Sequence, residues 1–138
     1  MVRTDIRVIY GDTDQMGVVY YANYLRWFEA GRNEFIRAHG LRYRDFEERF
    51  SLRLPVVEAH VSYRTPARYD DLLAVETSLA EVRRASARFG YRIVRDGEVV
   101  ATGHTMHACV DLEGHVRRIP AELRERLGEA EPGVPGKE

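Results

Sequence analysis

The stretch ANYLRWFEAGRNEFIRAH, residues 22–39, returns apolar side chains at helical spacing. Tyr24, Trp27, Phe28, Gly31 and Phe35 fall on one arc, with Leu25 and Ile36 alongside, and Arg26, Glu29, Asn33 and Arg37 fall opposite. This predicts one long helix with an apolar face, stopped by Gly40 in a left-handed cap. Outward from it the pattern changes. DIRVIY, residues 5–10, alternates like a short strand, and RYRDFEER, residues 42–49, suits a second short helix. From Leu54 onward alternation takes over. LPVVEAHVSYRTPARYDD holds a strand ending near Pro66 and a turn through Tyr69, Asp70 and Asp71. LLAVETSLAEVRR places Val75, Thr77 and Leu79 on one face, and SARFGYRIVRDG alternates Phe89, Tyr91 and Ile93. Asp96-Gly97 is a hairpin signal, and EVVATGHTMHACVD follows as a third long strand with Val100, Met106 and Val110 of one parity. Val116 to Ile119 is expected as an edge strand, and PAELRERL as a short helix opened by Pro120. One long helix beside a large antiparallel sheet makes an α+β domain. The breadth of the apolar arc predicts a sheet curled around the helix, with Phe28 and Phe35 buried in that contact at about 2–3 kcal/mol each.

The chain of 138 residues suits a single domain with a substantial core, assigned to residues 1–127. The tail GEAEPGVPGKE, residues 128–138, is acidic and rich in Gly and Pro and is expected to be disordered. Hydrophobic residues make up 44% and charged residues 31%, and the net charge of -1 implies no general polyanion-binding surface. No nucleic-acid partner is expected, since no zinc finger, basic helix or RNA-binding signature is present. The single cysteine, Cys109, rules out an intrachain disulfide and fits a reducing compartment. No apolar run nears the roughly 20 residues of a membrane span, and MVRTDIRVIYGD lacks a signal-peptide core, so a cytoplasmic protein without membrane insertion is expected. Positive charge is nearly all Arg, Lys137 being the one lysine.

YGDTDQMGVVYYANY, residues 10–24, carries the densest chemistry. Its D-x-D-x-x-G run suits a metal loop, a tight turn, or a carboxylate set against a helix start. A calcium loop counted from Asp12 would need an oxygen ligand where Met16 stands and a bidentate Glu where Asn23 stands, so that reading fails. Asp12 and Asp14 as turn and cap residues is the plain alternative. The other alternative places a carboxylate beside the unpaired N–H groups of a helix expected to start near Tyr21 or Ala22, where it would attack or activate water while those groups hold an oxyanion. His104 and His107 stand three apart in a strand, so they point to opposite faces and cannot share one ion. His60 stands alone in its strand and reads as structural, and Cys109 as buried and inert. Arg83, Arg84 and Arg88 cluster where one strand ends and the next begins, which suits either bidentate phosphate binding or a solvated hairpin end.

The motif from Tyr10 to Tyr24 resembles the active-site signature of the hot-dog-fold acyl-CoA thioesterases. The branch resembled is that of 4-hydroxybenzoyl-CoA thioesterase and the bacterial thioesterases associated with the Tol–Pal system. The likeness runs from about Asp5 to Leu127 and includes YLRWFEAGRNEFIRAHG and VSYRTPARYDDLLAVETSLAEVRRAS. It implies a hot-dog fold, hydrolysis of an acyl-CoA to a carboxylic acid and free coenzyme A, and no metal or cofactor beyond the coenzyme A of the substrate. It implies Asp14 as the catalytic nucleophile or general base and the Tyr21 backbone N–H as the group polarising the thioester carbonyl. The 4-hydroxybenzoyl branch carries Tyr at this position, and many Tol–Pal-associated relatives carry His. Gly17 would let the backbone pass close to the thioester, and Val18, Val19, Tyr20 and Tyr24 would wall the acyl group. Asp12 falls to turn geometry. Arg83 and Arg84 match a basic pair that meets coenzyme A phosphates, although Ala85 stands where the aromatic branch has a lysine. A homodimer or homotetramer with shared sites is also implied. The alternatives are a non-catalytic acyl-CoA-binding hot-dog protein and a hydroxyacyl-thioester dehydratase; the latter needs a histidine at the helix, and residues 11–38 hold none.

Overall fold

The helix α1 (Asn23–Ala38) lies so close to the sheet that a glycine is required on each side of the contact, one in the helix and one in the sheet. A Cβ on Gly31 would sit 2.4 Å from Thr77 Oγ1, and a Cβ on Gly103 would sit 2.3 Å from the His60 carbonyl oxygen and 2.6 Å from the Phe28 ring. The computed structural model describes residues 1–134. Five antiparallel strands run in the order β1 (Val2–Arg7), β4 (Leu72–Val82), β5 (Ser86–Arg95), β6 (Glu98–Ala108) and β3 (Val56–Tyr63). Helix α1 packs against β1, β4, β5 and β3, from one edge of the sheet to the other, so the sheet wraps it. Phe28 stacks flat on Tyr91 with ring centroids 4.2 Å apart, and Phe35 meets Phe89 edge-on at 5.6 Å. Both phenylalanines are buried, as the helical period predicts. A second helix α2 (Tyr43–Phe50) follows α1, and Gly40 between them takes φ +85, the left-handed cap expected there. The two-residue strands β2 (Leu52–Arg53) and β7 (Val110–Asp111) pair with each other, and α3 (Ala121–Leu127) closes the fold.

Several boundaries differ from expectation. The first strand spans Val2–Arg7 and not residues 5–10, because the chain leaves β4 after Arg7 and coils into a 3-10 turn at Tyr10–Asp12. The third strand ends at Tyr63, short of Pro66. Helix α1 begins at Asn23, with Ala22 as its cap, and α3 begins at Ala121, with Pro120 just outside it. Val116 to Ile119 is no strand; only Val116 bridges, to Val110. The register shift at Ile93/Val94 changes parity along β6, so both Val100 and Ala101 are buried and the inward row continues through Gly103, Thr105 and His107. Met106 and Val110 therefore lie off the core face. His104 and His107 do point to opposite faces, and His60 stacks on His104 with ring centroids 5.4 Å apart.

One polar chain crosses the core. Arg32 Nη1 lies 3.1 Å from the Tyr91 hydroxyl, which is 2.6 Å from Thr105 Oγ1, which is 2.8 Å from His107 Nε2. His107 Nδ1 lies 3.0 Å from the Leu54 carbonyl oxygen. That carbonyl can only accept, so Nδ1 carries the imidazole proton, Thr105 donates to Nε2, and Tyr91 donates to Thr105. Beyond α3, Glu131 N donates to Leu79 O at 2.9 Å and the Glu131 carboxylate takes the Met1 amino group at 2.8 Å. Residues 135–138 of the tail expected to be disordered lie outside the described residues.

Candidate functional site

The run of residues around Asp14 folds into a hairpin that feeds the start of α1. Asp14 N donates to Val18 O at 2.9 Å, Gly17 N donates to Asp14 O at 3.0 Å, and Thr13 bridges Val19. Gly17 takes φ +79, a left-handed position that a side chain would strain, so this glycine closes the turn. Asp14 Oδ1 accepts the Met16 backbone N–H at 2.9 Å, while Oδ2 meets no donor among the described residues. One carboxylate oxygen is thus oriented by the turn and the other is left for a ligand.

Asp12 is used differently. It is 6% exposed, its Oδ2 accepts Ile9 N at 3.0 Å, and its Oδ1 lies 3.6 Å from Arg26 Nη1. Its carbonyl oxygen accepts Tyr20 N and Asn23 Nδ2, both at 2.8 Å, which ties the hairpin to the first residue of α1. Asp12 therefore sits in the turn geometry assigned to it from sequence.

Tyr21 precedes α1 by two residues. Its backbone N–H donates to no acceptor among the described residues, and its carbonyl oxygen accepts the Tyr63 hydroxyl at 2.9 Å. Tyr63, at the end of β3, thus holds the following peptide, Tyr21–Ala22, at the entry to α1, and nothing in the sequence near the motif announces it. The free N–H at a helix start carries partial positive charge, to which the α1 dipole adds. Of the four residues expected to wall an acyl group, Val18 and Tyr20 reach the surface, whereas Val19 and Tyr24 are core residues. The Tyr24 hydroxyl accepts Ala67 N at 3.3 Å, and burial raises this phenol above its ordinary value. The Tyr20 phenol is also raised, first by its hydrogen bond with Tyr21, with the Asp14 charge adding to the effect. Cys109 is fully buried, which pushes its thiol up and leaves it no part in chemistry here.

Arg83 and Arg84 occupy the turn between β4 and β5 and line an open groove of about 550 Å³. Arg88 parts from them, since it lies on the opposite face of β5 from Phe89, with Nη1 3.9 Å from Glu58. The Asp14 hairpin lies at the other end of β4, where Val19 N donates to Ala67 O and the Tyr10 and Tyr69 rings stack at 3.8 Å. The 11 residues of β4 separate the two places by about 33 Å at the rise of an extended strand.

An antiparallel sheet wrapped around one long helix, with a carboxylate turn feeding the helix start, defines the hot-dog class. The sequence matches the Thioesterase-like superfamily over residues 8–127, and the chain belongs to that family. It is 38% identical over 112 residues to the putative acyl-CoA thioesterase YneP of Bacillus subtilis, covering 80% of each chain. It is 38% identical over 107 residues to the acyl-CoA thioesterase YbgC of Haemophilus influenzae, covering 78% of this chain and 79% of that one. The crystal structure of hypothetical protein TT1821 from Thermus thermophilus superposes with a TM-score of 0.86 at 38% identity, covering 91% of this chain and 95% of that chain.

Proposed function

We propose that the chain is a cytoplasmic hydrolase that cleaves an acyl-CoA to a carboxylic acid and free coenzyme A, with Asp14 as its nucleophile or general base. The observation that carries this is the pairing, on one hairpin, of a carboxylate with a free oxygen and a helix-start N–H without an acceptor. As nucleophile, Asp14 attacks the thioester carbonyl, the thiolate leaves and takes a proton, and water cleaves the resulting anhydride. As base, Asp14 takes a proton from water, whose oxygen attacks the same carbon, and the thiol leaves as the intermediate collapses. In either route negative charge grows on the carbonyl oxygen, and the Tyr21 N–H with the α1 dipole stabilises it. Val18 and Tyr20 line the acyl group, with Val19 and Tyr24 as the packed layer behind them. The Tyr10–Tyr24 motif supports assignment to the branch of the 4-hydroxybenzoyl-CoA and Tol–Pal-associated thioesterases, with Tyr21 standing where the 4-hydroxybenzoyl enzymes carry Tyr. No metal or bound cofactor enters the reaction as written.

Arg83 and Arg84 hold the coenzyme A phosphates, and the enzyme works as a homodimer, alone or paired into a tetramer. The span of β4 supports this, because the pantetheine arm is too short to run from those arginines to Asp14 of the same subunit. Edge strand β3 presents exposed Val56, Val57 and Ala59, which suits antiparallel pairing with a second copy. Such pairing sets the Tyr63 end of one subunit beside the Val56 end of its partner. The Val56 end lies with the β4–β5 turn, since Val56 faces His107 and His107 faces Ala87. One subunit's arginines then serve the other's Asp14.

A panel of short, long and aromatic acyl-CoA substrates, followed by thiol release, tests the activity. Binding of coenzyme A without thiol release from any of them would leave an acyl-CoA-binding protein in place of an enzyme. Mixing Asp14→Asn subunits with Arg83→Ala/Arg84→Ala subunits tests the shared site. Exchange should restore turnover at low substrate, and strict additivity of the two separate preparations would refute the arrangement.

A further inference from the structure

Of the arginines among the described residues, Arg32 alone is buried, at 8% exposure. A guanidinium taken out of water calls for a close counter-charge. Arg49, Arg95 and Arg117 each have a carboxylate oxygen within 2.9 Å even at the surface. Arg32 does not. Its Nη1 lies 3.1 Å from the Tyr91 hydroxyl, and its Nη2 lies 3.9 Å from Glu29, whose side chain is 68% exposed and therefore neutralises it weakly.

This guanidinium lines a cavity of about 320 Å³ between α1, α2 and the start of β3. Two more donors line it. The Tyr43 hydroxyl accepts Leu54 N at 3.1 Å, which leaves its own proton to give, and the Asn33 amide meets no partner among the described residues. Leu54, Pro55 and Val56 supply an apolar wall. The donors are held in place by the core chain, which returns to the same cavity: His107 donates to Leu54 O, and Leu54 N donates to Tyr43. A cavity of this volume takes a small ligand, and a guanidinium fork matches the two oxygens of a carboxylate. With one arginine and Glu29 nearby, a singly charged carboxylate suits it better than a doubly charged phosphate. We infer that this cavity binds a carboxylate, taken by Arg32, the Asn33 amide and the Tyr43 hydroxyl. Two kinds of molecule bring such a group: a free carboxylic acid, and an acyl-CoA whose acyl chain ends in a second carboxylate. The latter rests on the acyl-CoA reading above. Pro55 and Val56 stand at the head of β3, the strand offered there to a second copy, so pairing brings the rim of the cavity beside the other subunit's Tyr63 and Tyr21.

The test titrates glutarate and adipate into the protein by calorimetry, and measures KM for glutaryl-CoA and adipyl-CoA against neutral acyl-CoA substrates of the same length. Wild type, Glu29→Gln, Asn33→Asp and the charge control Glu34→Gln are compared. All three positions are at least partly exposed on α1, so the fold should survive, and the urea midpoint checks that it does. In wild type the acid-ended substrates should show a KM roughly tenfold below the neutral ones, as one charge-assisted contact gives. kcat should be alike, because a contact remote from the reacting carbon binds ground and transition states equally. Asn33→Asp sets a like charge beside the ligand and should erase the preference. Glu29→Gln removes a competing carboxylate and should widen it by about threefold. A purely structural role for Arg32 predicts neither change. Glu34→Gln should change nothing. A preference among acyl-CoA substrates assigns the cavity to the acyl chain. Binding of the free acids that responds to the same two substitutions, without that preference, assigns it to a free acid; either supports the inference. If wild type cleaves neutral acyl-CoA but neither binds the free acids nor prefers acid-ended chains, the inference fails and the hydrolase reading stands. If the free acids bind and respond to both substitutions while no thioester is cleaved, the cavity stands and the hydrolase reading fails. Binding or preference unmoved by Asn33→Asp would place the carboxylate elsewhere and overturn the inference.

Discussion

The hairpin that carries Asp14 and the core chain that ends on His107 are both held by hydrogen bonds, but they leave different things unused. In the core Arg32, Tyr91, Thr105 and His107 are linked one to the next and on to the Leu54 carbonyl oxygen, so these side chains are held by one another. In the hairpin, backbone bonds set the shape, and the groups left over are one carboxylate oxygen and one N–H. A satisfied buried network contributes stability and uniqueness, whereas a partly unsatisfied surface turn is where chemistry can enter. Substitutions in the two regions should therefore separate rate from stability.

The largest effect is expected in the hairpin. Asp14→Asn keeps the Met16 N–H acceptor and nearly the same shape, so the urea midpoint should stay near that of wild type. kcat should fall by about three orders of magnitude, as loss of a nucleophile or base does. Two residues away the balance reverses. Asp12→Asn weakens a buried acceptor that serves Ile9 N and faces Arg26, and should lower stability by about 1–2 kcal/mol with little change in kcat once folded. Equal rate losses at the two positions would erase the distinction between them.

The next effect lies in the core and should spare the rate. Thr105→Val is nearly isosteric, so it opens no cavity, but it removes the link in the middle of the chain. Tyr91 loses its acceptor and His107 Nε2 its donor, both in buried positions. Two unsatisfied buried groups should destabilise the fold by about 2–4 kcal/mol, read from urea unfolding. If Thr105→Val instead lowers kcat with no change in midpoint, the chain belongs to the reaction and not to the scaffold.

The same contrast explains what could be read from the sequence. The helix, the long strands and the Asp14 turn were legible because each depends on neighbours a few residues away: a helical period, an alternation, a glycine where φ is positive. The parity change along β6 was not legible, since it follows from a bulge in pairing with β5. The early end of β1 was hidden because alternation continues past Arg7 to buried Val8 after pairing has stopped. Around the site, Tyr63 reaches Tyr21 across 42 positions and Arg124 reaches Arg83 across 41, contacts that only the closed fold creates. The motif thus pointed to the turn carboxylate and to the N–H before the helix, but not to Tyr63 behind them or to Arg118 and Arg124 beside the β4–β5 turn.

The smallest expected effect uses pH. Burial, and after it the Arg32 charge, hold the His107 imidazole down to about 4, against an ordinary value of 6.5. In the unfolded chain the imidazole takes its proton near the ordinary value, whereas in the folded chain it resists until about 4. The stability that goes with neutral His107 is therefore complete above pH 6.5 and is lost progressively as pH falls toward 4. By pH 5 the loss amounts to roughly 2 kcal/mol, taking about 1.4 kcal/mol for each pH unit below 6.5. Asp71 and Asp111 are lowered carboxylates, so their contributions fade only below the ordinary carboxylate range and do not enter this window. Urea unfolding at pH 7.5, 6 and 5 should show the decline in wild type. His107→Gln can still donate to Leu54 and accept from Thr105 but takes up no proton, so its profile should be flatter over the same interval. An unchanged slope in that variant would place the titration on another group, and the core chain would lose its claim to be the part of the molecule that acid attacks first.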